Sequence, residues 1–192
     1  MKIDGQGQAE VLSPDELNLL LDNAPCERSR ALFTVMIFSG SRISETLQIR
    51  WLAIQDSKLI FKKETTKTKT SREILLHNRV VNELKIYKQY WINKYGRVPT
   101  SRDFLFVSRF GFSEHLTRQW GHKCWHKAIK AAGLKAGTSC HTPRRSYCTT
   151  LHNKGVGLQT IASFSGHQSL DQLQTYISVD VKEKMKALAA LD

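Results

Sequence analysis

Between residues 58 and 76 the hydrophobic period of this chain changes, and that change limits the folds open to it. Lys58-Leu-Ile-Phe-Lys62 and Arg72-Glu-Ile-Leu-Leu76 are short β-prone runs on either side of the polar stretch Glu64-Thr-Thr-Lys-Thr-Lys-Thr-Ser71. Two such runs around a threonine- and lysine-rich turn predict one antiparallel hairpin. Everywhere else the apolar spacing is helical. Ser13, Pro14 and Glu16 supply N-cap, N1 and capping-box residues for a first helix, with Leu17, Leu20 and Leu21 as its buried stripe. A second helix covers about Arg28 to Ser39 and stops at Gly40. A third begins at Ser41–Arg42 and buries Ile43 and Leu47, with Trp51 or Ile54 as its next apolar position. After the hairpin, Val80, Leu84, Tyr87, Trp91 and Tyr95 mark a long helix. A loop from Gly96 to Arg102, an apolar segment Phe104–Val107 and a helix from Thr117 to Ala132 follow. Three short helices are then predicted near 143–154, 157–164 and 169–176. The expected class is α+β, mainly α, with one small antiparallel sheet.

With 192 residues, 41% of them hydrophobic, the chain suits one compact domain with a buried core. We divide it into a leader at 1–11, a domain at 12–180 and a helix-prone tail at 181–192. The leader lacks the apolar region of a secretory signal, and reads as a short flexible segment, native or left from cloning. Met185, Leu188 and Leu191 give the tail an apolar side, which suits either its own domain or a neighbouring protomer. No apolar run is long enough for a membrane span, and the four cysteines read as reduced thiols.

Charge is distributed unevenly. Residues 1–60 hold 6 basic and 8 acidic side chains, whereas 61–192 hold 23 and 9, within a net charge of +12. A surface so basic attracts polyanions, of which nucleic acid is the commonest large one. A basic surface kept only for solubility gives the same count, so charge alone does not decide.

Three separated clusters carry candidate chemistry. Ser39-Gly-Ser-Arg-Ile-Ser-Glu45 places Arg42 at a helix start, where free N–H groups and the helix dipole favour an anion. His141-Thr-Pro-Arg-Arg-Ser146 puts His141 and Arg144 on one face of an opening turn, with Pro143 at N1. Gly166-His167 is followed nine residues later by Tyr176. Each cluster alone also fits a surface arginine, a capping histidine or a packed tyrosine. In this order, with the hairpin between the first and second, they resemble the tyrosine recombinase (phage integrase) family over Ser13 to about Val179.

That resemblance implies a catalytic domain that cuts and rejoins DNA through a 3′-phosphotyrosine link, with no metal, cofactor or ATP. It assigns Arg42, Arg144, His141 and His167 to the scissile phosphate and Tyr176 to nucleophilic attack. Lys67 in Thr66-Lys67-Thr68 matches the hairpin general acid, with Lys69 as second choice. The resemblance also implies double-stranded DNA as partner and a tetramer on two duplexes, an isolated domain being compatible with a monomer. The expected location is the cytoplasm of a bacterial or phage-infected cell. Two departures stand out: where the family commonly reads H-x-L-R-H, this chain has Pro143 and Arg145. An N-terminal DNA-clamping domain, usual in full-length members, is not visible in this sequence.

For DNA contacts we expect Lys62, Lys63, Lys69 and Arg72 around the hairpin, Arg118, Lys123 and Lys127 on the later helix, and Arg145 beside the site. Trp120 and Trp125 read as core or groove wall. His122, Cys124 and His126 have part of a zinc spacing, but no fourth ligand lies nearby. Two other readings keep the fold and change the activity: a type IB topoisomerase-like enzyme, and a DNA-binding regulator that does not cut.

Overall fold

In the computed structural model of the chain, residues 8–62 and 71–177 are described. The leader up to residue 7, the turn residues Lys63, Lys67 and Lys69, and the tail lie outside them. The first helix, α1 (Pro14–Asp22), starts as its sequence dictates: Ser13 Oγ accepts from the Glu16 amide and Glu16 Oε2 accepts from the Ser13 amide. Its stripe of Leu17, Leu20 and Leu21 is buried. Helix α2 (Glu27–Ser39) is buried along most of its length and forms the central post, flanked by α4 (Asn78–Tyr95) and α6 (Thr142–Asn153). It ends at Gly40, whose φ of 62° reverses the chain.

Helix α3 (Ile43–Leu47) is shorter than expected. It stops after Leu47, and Trp51 sits in a separate 3-10 turn, Trp51–Ala53. The strand β1 (Ile54–Gln55) then pairs with β2 (Lys58–Phe61), and β2 with β3 (Arg72–Leu75), giving a three-stranded antiparallel sheet in the order β1-β2-β3. Phe61 stands opposite Arg72, which fixes the register at the mouth of the turn. The apolar segment after residue 103 leads into a second small hairpin, β4 (Val107–Ser108) with β5 (Gly111–His115), absent from the sequence reading. Its alternation is too short to separate from a buried loop.

One large core joins these elements. Trp91, Tyr87, Phe106, Trp125 and Phe33 lie within it, with Phe33 edge-on to Trp125 at 5.2 Å. Trp125 on α5 (Arg118–Ala131) is fully buried, as is Cys124 nearly so, while His126 faces solvent. A separate small cluster of Cys148, Ile161 and Leu173 ties α6 to α7 (Leu158–Ser165) and α8 (Leu170–Gln174), with Tyr176 packed at its edge. Among the described residues no helix is long and apolar enough to cross a membrane.

Candidate active site

The site begins with the buried carboxylate that closes the Ser39–Glu45 cluster. Glu45 lies fully buried on α3 and closes a capping box on Arg42: its Oε2 accepts from the Arg42 amide at 3.1 Å and its Oε1 from Arg42 Nη1 at 2.9 Å. Arg42 is the N-cap of α3, and its side chain keeps 15% of its surface exposed. From the other side, Arg72 Nη2 donates to the same Oε2 at 3.0 Å. One carboxylate is thereby shared by two arginines, one at a helix start and one on β3.

Arg144, on the first turn of α6, is the third cation and is 1% exposed. Its Nη1 donates to the carbonyls of Gly40 at 2.8 Å and Ser165 at 2.5 Å, joining the ends of α2 and α7. Its Nη2 donates to His167 Nε2 at 3.0 Å. On the far side of the ring, His167 Nδ1 lies 2.7 Å from Ser165 Oγ. Ser165 Oγ also donates to Ile161 O at 2.6 Å, so it accepts from Nδ1. These bonds select one tautomer of a neutral imidazole, with the proton on Nδ1.

Tyr176 completes the cluster. It lies just past the end of α8, not within a helix as expected, and its carbonyl accepts from Thr149 Oγ1 at 3.2 Å. Its ring stands 4.7 Å from that of His167 and 5.4 Å from the Arg144 guanidinium carbon. Tyr176 also lines a cavity of about 370 Å³, together with His141, Ser139, Arg145, Thr175 and the incoming residues Gln8 and Ala9. His141 is the exposed N-cap residue of α6, and Pro143 is the second helical residue, one place later than expected.

The electrostatics follow from this crowding. Burial pushes the Glu45 carboxyl up, but the Arg72 charge and the hydrogen bonds and charge of Arg42 outweigh it and hold it below its ordinary value. Burial, then the Arg42 charge, brings Arg144 down to about 10. Burial and the charges of Arg144, Arg42 and Arg72 depress His167 to about 3, in agreement with the neutral tautomer that its bonds require. Three arginines face one carboxylate, so the site carries a net positive charge of two. An oxyanion at this point is stabilised by dipoles and charges already in place.

The model of the phage integrase family matches residues 10–183. This chain belongs to that family. Among its curated relatives, a putative integrase/recombinase of Sinorhizobium fredii is 26% identical over 170 residues, covering 88% of this chain and 52% of the relative. A tyrosine recombinase of Thermosipho africanus is 26% identical over 185 residues, covering 95% and 62%. The chain thus spans little more than half of the curated relatives it matches. In fold it is similar to XerA recombinase, with a TM-score of 0.80 at 20% identity over 96% of this chain and 66% of the other. It is also similar to the catalytic domain of bacteriophage HP1 integrase, with a TM-score of 0.62 at 15% identity over 93% and 95%.

Of the family's expected residues, Arg42, Arg144, His167 and Tyr176 converge, and His141 lines the cavity beside Tyr176. Lys67 and its alternative Lys69 lie outside the described residues. Two expected DNA contacts take other positions. Arg72 is turned inward at 9% side-chain exposure, held by Glu45 and lying over the Phe61 ring at 4.4 Å. Arg145 Nη1 donates to the carbonyl of Ala9 at 2.7 Å, fastening the chain that enters the domain. Lys62, Arg118, Lys123 and Lys127 are exposed. Glu45 and Ser165 were missed, although signals existed. Glu45 stands three residues after Arg42, the capping-box spacing. Arg72 shares the parity of the buried Ile74 and Leu76, whereas Leu75 faces outward.

Proposed function

We propose that this chain is the catalytic part of a site-specific DNA recombinase that breaks and rejoins strands through Tyr176. The observation that carries this reading is the ring contact of Tyr176 with His167, beside a buried Arg144 and the Arg42–Glu45 pair. XerH, 23% identical to this chain, is described as bound to its difH substrate in a pre-cleavage complex. That likeness supports double-stranded DNA as the substrate here.

In this mechanism Arg42 and Arg144 take the non-bridging oxygens of the scissile phosphate, with His141 and His167 at its edge. Their charge favours the transition state, which carries more negative charge than the diester. Tyr176 Oη attacks phosphorus and passes its proton to His141, which lines the same cavity, forming a 3′-phosphotyrosyl diester. The bond from phosphorus to the 5′ oxygen breaks, and Lys67, or Lys69 if the turn register differs, supplies the proton to that oxygen. Reversal with another 5′-hydroxyl rejoins a strand and conserves the ester energy. The exposed Lys62, Arg118, Lys123 and Lys127 would hold the duplex backbone. A tetramer on two duplexes, working in the bacterial or phage-infected cytoplasm, is part of the same reading.

A covalent trap tests it. Suicide duplexes should give an adduct with the wild-type chain and none with Tyr176→Phe; a persistent adduct in that variant, or none in wild type, defeats the proposal. Lys67→Ala should lose cleavage of ordinary DNA yet recover on a 5′-bridging thiolate, whose leaving group needs no proton.

A further inference from the structure

We propose that Arg72 is a positioning residue of the phosphate site: it holds Glu45 against Arg42 from the hairpin side and adds the charge that matches the cluster to a doubly negative transition state. This rests on the proposed strand-transfer reading and adds to it a residue whose expected place was on the DNA surface.

The geometry gives Arg72 a position between three catalytic segments. It opens β3, directly after the turn that carries Lys67, with its guanidinium 4.4 Å over the ring of its cross-strand partner Phe61. Its Nη2 reaches Glu45, and through that carboxylate the guanidinium and amide of Arg42. Its Nη1 lies against Gly166, immediately before His167, where a Cβ would collide with it. Glycine is needed at 166 both for that approach and for its φ of 73°. Arg72 therefore joins the hairpin, the start of α3 and the turn that presents His167.

Packing alone gives no reason for an arginine there. Its Nε and Nη1 are buried with no hydrogen-bond partner among the described residues, and a buried unsatisfied donor is unfavourable. An apolar side chain of similar length would fill the space over Phe61 without that cost. What an arginine adds is charge. With Arg42 and Arg144 it makes three cations against the single anion Glu45, beside a neutral His167. A phosphodiester brings one negative charge, and a pentacoordinate phosphorane brings two. The excess of positive charge is answered more fully by the second than by the first, so binding is strengthened as the reaction proceeds. Its charge also reaches His167, together with those of Arg144 from α6 and Arg42 from α3; Ser165 and Tyr176 are the other groups that face the ring.

The test uses the chain with Arg72→Met and Arg72→Lys, and two independent readouts. Single-turnover adduct formation is measured on suicide duplexes selected from a randomised pool by covalent capture on wild type. Histidine nitrogen NMR follows the titration of His167 without DNA. Arg72→Met is expected to slow cleavage at saturating DNA about a hundred-fold, the scale of losing one preorganised oxyanion donor, while DNA affinity stays within about threefold because the side chain is buried. The same variant should move the His167 titration upward. Arg72→Lys should keep most of the rate and the wild-type titration. An unchanged His167 titration in Arg72→Met, or a lysine variant as slow as the methionine one, overturns the proposal. Absence of any wild-type adduct would defeat the strand-transfer reading, and the titration alone would then decide the role of Arg72.

Discussion

Arg144 and His167 are joined Nη2 to Nε2 at 3.0 Å, the arginine donating and the histidine accepting. With Nδ1 donating to Ser165, the ring has no place for a second proton. In the unfolded chain His167 takes up a proton below about 6.5, but in the folded chain only near 3. Between those values the unfolded state binds more protons, so stability is expected to fall as the pH drops from about 6.5 towards 3. The loss is at most about 1.4 kcal/mol for each pH unit crossed. Urea unfolding of wild type and His167→Asn across this range checks it: the variant should lose up to one proton's worth of slope. Parallel curves would mean that the ring is already charged in the fold.

The reversal at Gly40 supports both a fold boundary and the site. A Cβ there would meet Tyr147 Cδ1 at 2.5 Å, and φ is 62°. Gly40→Ala is expected to cost about 2 kcal/mol or more, from left-handed strain and overpacking together. Adding Tyr147→Ala should recover the packing part but not the strain, which a double-mutant cycle by denaturant unfolding resolves. Cleavage should fall as well, because the Gly40 carbonyl holds Arg144.

Arg145 fastens the entering chain, together with the Glu10 amide on Gly137 O at 3.1 Å and the Leu12 amide on Ser146 Oγ at 2.9 Å. In Arg145→Ala, hydrogen exchange at the Glu10 amide should quicken about fivefold, for a bond worth about 1 kcal/mol. The wall that Ala9 gives to the Tyr176 cavity would loosen with it. Unchanged exchange would show that the two neighbouring bonds hold the segment without Arg145.

Phosphate contacts have a different signature. Lys123 and Lys127 stand one helical turn apart on the exposed side of α5. Replacing either with alanine is expected to weaken DNA binding at all sequences and to reduce the slope of log affinity against log salt by about 1. Arg145→Ala should leave that slope in place, since its guanidinium is committed to Ala9. Titrations at several salt concentrations separate the two outcomes.

Much of the fold was legible because its causes are local. The Ser13–Glu16 capping box, the stop at Gly40 and the β2 and β3 strands each depend on residues a few positions apart. The order of the arginine, histidine and tyrosine motifs was also plain in the sequence, and it pointed to the family that the domain-wide match bears out.

Where each charge points was decided by tertiary structure. Arg72 meets Glu45 across 27 residues, Arg144 meets His167 across 23, and Arg145 meets Ala9 across 136. A long basic side chain in isolation reads as solvated, because burying its charge is unfavourable without a partner. Only the fold brings the partner. It turns Arg72 from the DNA surface to Glu45, commits Arg145 to the entering chain, and keeps His167 neutral between a serine and an arginine. The residue types came from the sequence; their protonation and direction came from the packing of α3, β3, α6 and the Gly166 turn around one buried carboxylate.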